Sequence, residues 1–453
     1  MTAPAGLRRG LGPWASASIV VGTIIGTGVF LKSAVMAQLG GSPAWVLAAW
    51  AVAGLLSLFG AMTYAELGGM FPSAGGEYVY LREGFGPAMG YLYAWNRFWI
   101  ATPGSIAAYA VGSATFLGTA LGYRGGPVIA IAIGLVAVFT AINCMNVRAG
   151  GQLQTALTAM KVVMIGGLAL GALAAPAGRW AHLTVGGHGF PGASAFGAMV
   201  LSALWAYDGW NNLPMAAGEI RDPVKNLPRA TVIGALAVLA IYAAVNLGYF
   251  HALPFAEIAA SRSDAYPDAP PIAAKVAAQF LGGPAQAVLS IAMTISALSA
   301  MNGSMLTGAR VPFAVARDGL APAALARLSP GAGVPTIAVV VQGGLACLLA
   351  LTGSFDQLTD AVVFASWLFY ALNAGSVLLL RRRAPGRPRP FRVPGFPVVP
   401  VIYVAIAALL LVNTLWTAPW ASALGLGMTA LGGLVYAGFL RGRARPQSDA
   451  ADG

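Results

Sequence analysis

Long apolar runs, separated by short clusters of proline, glycine and charge, order this chain from Pro13 to Leu440. Runs near 13 to 39, 44 to 70, 88 to 118, 127 to 146, 154 to 175 and 195 to 217 predict six membrane-crossing helices. Six more are predicted near 230 to 252, 282 to 309, 334 to 352, 357 to 380, 398 to 416 and 420 to 440. A helical crossing takes about 20 mostly apolar residues, and most of these runs supply that. An even number of crossings puts both termini on one side.

Two runs are interrupted alike. The first reads Gly22-Thr-Ile-Ile-Gly26-Thr27-Gly28-Val-Phe30, and the sixth reads Trp205-Ala-Tyr207-Asp208-Gly209-Trp210-Asn211-Asn212. Glycine, threonine, aspartate and asparagine weaken a helix or compete for its backbone bonds, and an unpaired amide facing lipid costs several kcal/mol. Irregular backbone at that depth is therefore expected to line a cavity. The interruptions lie five spans apart, so they take matching positions in two five-span halves, 13–175 and 195–380. An odd number of spans inverts the second half relative to the first, which is the pattern of an inverted-repeat transporter. The runs in 398–440 then stand outside the repeat. Taken alone, the small residues of the first span fit equally well with tight helix packing.

Composition and charge sharpen this picture. Of 453 residues, 58% are hydrophobic and 9% charged, too few polar positions to cover a soluble domain of this size. A net charge of +12 would suggest nucleic acid if it clustered on one face, but it is distributed between apolar runs. With the N-terminus inside, nineteen basic residues fall on the cytoplasmic side. They are Arg8, Arg9, Arg82, Arg148, Arg221, Lys225, Arg229, Arg310, Arg317, Arg327, six from Arg381 to Arg392, and Arg441, Arg443 and Arg445. Lys32, Arg124, Arg179, Arg262 and Lys275 fall outside, while Arg97 and Lys161 lie within spans. The first twelve residues are expected to stay on as a cytoplasmic N-terminus, since the following apolar run far exceeds signal-peptide length. Residues 441–453 are expected to be a disordered cytoplasmic tail.

The interruptions carry the candidate chemistry. Opening a helix at Gly26 to Gly28 frees amide N–H groups at a positive dipole end, suited to a carboxylate. The carbonyls left bare around Ile24 and around Trp205 to Asp208 suit an ammonium group, so one cavity offers both poles of a zwitterion. Asp208, a carboxylate at mid-membrane, is a functional candidate by default; attraction of a cationic side chain, carriage of a proton, and capping of the second half-helix near Asn211 all fit it. Trp205 fits a gate closing over the ligand, or plain packing. Lys161 needs acceptors, available from carbonyls at the first break and from the hydroxyls of Ser296 or Ser299. It would then take a cation's place; proton exchange and snorkelling to the interface are the other readings.

The segments Glu66 to Arg82 and Glu219 to Arg229 mix charges of both signs and fit inner-gate ion pairs or ordinary solvation. His182, His188 and His251 have no metal-ligand spacing, and no nucleophile triad, phosphate loop or catalytic carboxylate pair stands out. No metal, cofactor or enzymatic activity is expected, and Cys144 and Cys347 are expected to be buried free thiols.

These residues resemble the amino acid-polyamine-organocation superfamily and, within it, the L-amino acid transporter family. The strongest pieces are Gly22 to Phe30, Pro72 to Leu81 (PSAGGEYVYL), Ala206 to Asn212 with Gly218-Glu219, and Asn302 to Arg310 leading to Arg317-Asp318-Gly319. The resemblance implies an all-α, LeuT-type 5+5 inverted-repeat fold of twelve transmembrane helices with helices one and six broken. It implies a substrate carboxylate on the amides of Gly26, Thr27 and Gly28, an amino group on carbonyls of Ile24, Trp205 and Asp208, and Trp205 as proximal gate. A lysine at Lys161 implies sodium-independent transport of L-α-amino acids, often by exchange. The Asp208 position leaves side-chain selectivity open between neutral and cationic substrates. Animal members join a glycoprotein through an outer-loop cysteine after span three; Leu117 to Pro127 has none, so no disulfide-linked heavy subunit is expected. A proton-coupled importer of amino acids or polyamines, and a non-transporting sensor or embedded enzyme, are the alternatives.

Overall fold

The computed structural model describes residues 7–123, 126–184, 189–263, 265–266, 268–352, 355–417 and 419–441. The expected tail beyond residue 441, His188 and Arg124 lie outside the described residues. The described chain is helical almost throughout, with two isolated bridges, Leu11 to Ile220 and Ser263 to Tyr266, as its extended pairings.

Nine stretches are long and apolar enough to cross a membrane among the described residues: Pro13–Leu39, Pro43–Met70, Pro87–Leu121, Gly126–Met145, Val147–Leu173, Pro223–Ala252, Ala285–Arg317, Val398–Trp416 and Ser422–Leu440. Three more helices complete the expected order. They are Ala193–Ala206 with its continuation Asn212–Met215, Thr336–Thr352, and Phe355–Arg383. We number these spans one to twelve in chain order. Prolines at the first or second position of several helices are tolerated because the N–H they lack has no partner there.

Large apolar side chains on the outside identify the surrounding solvent. Val163, Leu409, Trp416 and Leu434 are each at least 68% exposed, and water would penalise every one by about 1.5–3 kcal/mol relative to burial. Lipid removes that penalty. Polar groups run the other way: Lys161, Gln154, Asn302, Glu77 and Glu219 are fully buried inside the bundle.

Both expected interruptions are present in the backbone. Span one divides into Pro13–Ile24 and Gly28–Leu39, with Ile25 extended at φ −72° and ψ 93°. Span six divides at the turn 207–211, where Gly209 has φ +126°. Span three carries a π-helical turn, Arg97–Ala101, of the kind that re-aims side chains at functional sites. The segment read as beginning at Glu66 differs: Glu66 lies inside span two, which runs to Met70 because Leu67, Gly68 and Gly69 continue it until Pro72 disfavours helix at Phe71. Glu77–Phe85 forms a short helix of its own.

Candidate functional site

The two breaks touch. Thr23, in the last turn before the first break, donates its hydroxyl to the Gly209 carbonyl at 2.8 Å. A Cβ placed on Gly209 would lie 2.7 Å from both the Thr23 carbonyl carbon and its oxygen. Gly28 packs equally closely, its missing Cβ 2.6 Å from the Ala206 side chain and 3.2 Å from the Trp205 ring. Gly26 is different, because a Cβ there would approach only the Ile24 carbonyl, at 4.0 Å. Beside the close-packed Gly28 and Gly209, Gly26 therefore faces open space. The half-helix Gly28–Leu39 starts here, at the end where a helix leaves N–H groups without intrahelical partners; of its first turn, the Phe30 N–H reaches the Thr27 carbonyl at 3.1 Å.

Tyr242 of span seven joins both breaks and was not foreseen. Its hydroxyl lies 3.3 Å from the Ile24 carbonyl and 3.0 Å from the Ala206 carbonyl. A buried tyrosine OH in mid-span was the available signal, since such a group needs a polar partner. Tyr242→Phe is expected to cost about 1–1.5 kcal/mol of bridging, read as a lower melting temperature of the purified protein. The Trp205 ring, against Gly28, also carries the Lys32 ammonium 4.8 Å from its centroid.

Lys161 is fully buried, which removes the snorkelling alternative. Its ammonium donates to the Gly22 carbonyl at 2.8 Å and to the Ile25 carbonyl. Ser296 reaches the same place from span eight, its hydroxyl 2.9 Å from the Gly26 carbonyl and 3.2 Å from that of Ile25. Ser299 lies one turn away in a separate strip, 3.3 Å from the Thr158 hydroxyl and 3.4 Å from the Gln154 amide. Gln154 and Thr158 also bond the Ser18 carbonyl of span one, and Gln154 accepts from Asn302 at 2.9 Å. The sequence reading left Ser296 and Ser299 as equal candidates beside Lys161; Ser296 is the one that shares an acceptor with it.

Asp208 does not cap Asn211, whose half-helix shows no side-chain cap bond. Its carboxylate accepts from the Tyr370 hydroxyl of span ten at 3.0 Å. Behind it lies a polar hub. The buried Arg97 donates to the Asn212 side chain at 2.6 Å. Glu77 accepts from Tyr64 at 2.6 Å, from Tyr93, and more weakly from Asn211 and Asn373. The two asparagines that follow the second break are held by an acid and a base respectively.

At the end of the bundle where arginines gather, the charged segments pair outward rather than with each other. Glu219 makes a bidentate, buried pair with Arg310 at 2.8 and 2.9 Å. Glu66 pairs with Arg381 at 2.7 and 2.8 Å and accepts the Val393 N–H at 2.7 Å. Arg82 meets Asp318. Solvation alone does not describe these groups. No cluster of three or more metal-ligating side chains occurs among the described residues.

The amino acid permease family model matches residues 11–438 of the chain. The serine/threonine exchanger SteT of Bacillus subtilis (strain 168) is 31% identical over 446 residues, covering 97% of this chain and 98% of that protein. The b(0,+)-type amino acid transporter 1 of Mus musculus is 30% identical, covering 95% of this chain and 87% of the mouse protein. The human large neutral amino acids transporter small subunit 2 is 30% identical, covering 95% of this chain and 80% of its own length.

Proposed function

Since the chain belongs to the amino acid permease family, with the LeuT-type broken-helix fold this implies, we propose that it exchanges L-α-amino acids across a membrane without sodium. The observation that carries the reading is the meeting of the two breaks at Thr23 and Gly209, beside a Gly26 on which a Cβ would meet little. Amides of Gly26, Thr27 and Gly28 take the substrate carboxylate, and carbonyls of Ile24, Trp205 and Asp208 take its ammonium. Donors and acceptors fixed in a water-poor site bind a zwitterion more strongly than they would in water. Trp205 closes over the bound molecule.

Lys161 supports sodium independence, because a resident ammonium already holds the carbonyls of Gly22 and Ile25, with Ser296 beside it. Ser299 bonds Thr158 and Gln154 of span five, which in turn hold the Ser18 carbonyl of span one. Neutral substrates are the primary class, and the Asp208 carboxylate would extend it to cationic ones. The relatives' names mention serine and threonine, and large neutral amino acids. The repeats 13–175 and 195–380 rock against each other around this site, and the Arg-rich end with both termini faces the cytoplasm. Cys144 and Cys347 both lie within spans, which supports a chain that works without a disulfide-linked heavy subunit.

Proteoliposomes test this directly. Labelled serine is expected to enter vesicles preloaded with unlabelled serine at about ten times the rate seen with empty ones, with sodium or choline outside. Absence of entry for labelled Ala, Ser, Leu, Lys and Arg under every loading would end the reading. Net uptake into empty vesicles driven by an inward proton gradient would replace exchange with proton-coupled import.

A further inference from the structure

At the Arg-rich end, three arginines from two separate segments converge on one cleft. Arg8 and Arg9 belong to the strap that precedes span one, and Arg148 opens span five. The cleft has a volume of about 460 Å³ and is floored by Asn146, Gly331 and Ala332, with no acidic side chain among its lining residues. That volume falls within the roughly 300–1,000 Å³ typical of small-molecule sites.

Elsewhere at this end Arg82, Arg310 and Arg381 each have an acidic partner. The guanidinium groups of Arg8, Arg9 and Arg148 have no hydrogen-bond or ion-pair partner among the described residues. Orientation of the chain explains basic residues on this face, but not their convergence on a concavity without a countercharge. Like charges repel across such a cleft, and an anion lying among them would remove that cost. Guanidinium forks match the oxygens of a phosphate two at a time.

We propose that this cleft is a binding site for a phosphate-bearing anion. The strap it would hold is not a free end. Leu11 is fully buried, its N–H donates to the Glu219 carbonyl at 2.9 Å, and its carbonyl accepts the Arg221 N–H at 2.9 Å. Arg8 and Arg9 thus stand between the segment after span six and the turn that joins spans four and five. A phosphate group on all three arginines ties those two places together through the strap. The same chemistry is offered by an anionic phospholipid headgroup and by free phosphate, and both sources are tested.

The experiment is a melting measurement on the full-length protein, so it does not depend on transport. One arm compares inorganic phosphate with chloride at matched ionic strength in a neutral, lipid-free detergent. The other compares nanodiscs of phosphatidylcholine with nanodiscs containing phosphatidylglycerol. At about ten times the dissociation constant, the expected rise is about 1.5 °C. A rise with phosphate assigns the free anion, and a rise confined to phosphatidylglycerol assigns the lipid. Either must vanish when Arg8, Arg9 and Arg148 are all changed to Gln, and also in Ala332→Glu, which sets a carboxylate in the cleft while sparing the arginines. No rise from either source, or an equal rise in the folded variants, overturns the site.

Discussion

Lys161→Ala will lower amino acid exchange by about thirtyfold or more while the protein still inserts and purifies as a single species. The reasoning starts from the acceptors. Removing the ammonium strips a donor from the carbonyls of Gly22 and Ile25, at about 1–3 kcal/mol for each buried group left unpaired. The Ile25 carbonyl keeps Ser296, so the loss falls mainly on Gly22, and a mid-range cost of about 2 kcal/mol corresponds to a rate factor of about thirty. Ser296 still reaches Ile25 and Gly26, so the break keeps part of its support and the fold persists. Exchange rates and gel-filtration profiles measured side by side separate the two effects. Unchanged flux in Lys161→Ala would remove the cation role; sodium-stimulated flux in the variant would strengthen it, since a free cation would then be filling the vacated position.

How far the sequence could be read follows from what each kind of residue has to satisfy. Spans were legible because lipid demands apolar length, and breaks were legible because glycine and aspartate have no local reason to sit at mid-depth. The small-residue packing alternative proved true of part of the first break and not of the rest. Gly22 sits against Gln154, Thr158 and Ser299, and Gly28 against Ala206, whereas a Cβ on Gly26 would meet only the Ile24 carbonyl, at 4.0 Å. Nothing in the spacing distinguishes these three glycines, because their difference lies in what the other spans bring near.

The same limit applies to charge. Counting arginines gives a side of the membrane, but Arg381 stands on Glu66 and Arg310 on Glu219, pairings that span 315 and 91 residues. Arg97 was counted within a span and given no role, yet it holds Asn212 next to the second break. Its location inside a span was the usable signal, since a buried guanidinium requires a named acceptor. Tyr242 and Glu77 escaped because each is held by partners from several spans, an arrangement that no single segment displays.

Gly209→Ala will reduce exchange by about a hundredfold. Two costs add at this residue. A φ of +126° lies where a side chain costs about 1–3 kcal/mol. The added methyl would also stand 2.7 Å from the Thr23 carbonyl group and 2.9 Å from the Ile24 nitrogen. Both obstacles are backbone, so no side-chain rotation relieves them. Relief requires the turn 207–211 to move away from span one, breaking the Thr23 hydroxyl bond to Gly209 and separating the two halves of the site. About 3 kcal/mol of such disruption corresponds to roughly a hundredfold in rate. Gly26→Ala is the control, because its methyl enters open space beside the Ile24 carbonyl. Fold and maximal rate should survive there, while the half-saturating substrate concentration rises as the methyl intrudes on the ligand. If Gly209→Ala exchanges normally, the two unwound segments do not need to touch for transport, and the site must be built elsewhere in the bundle.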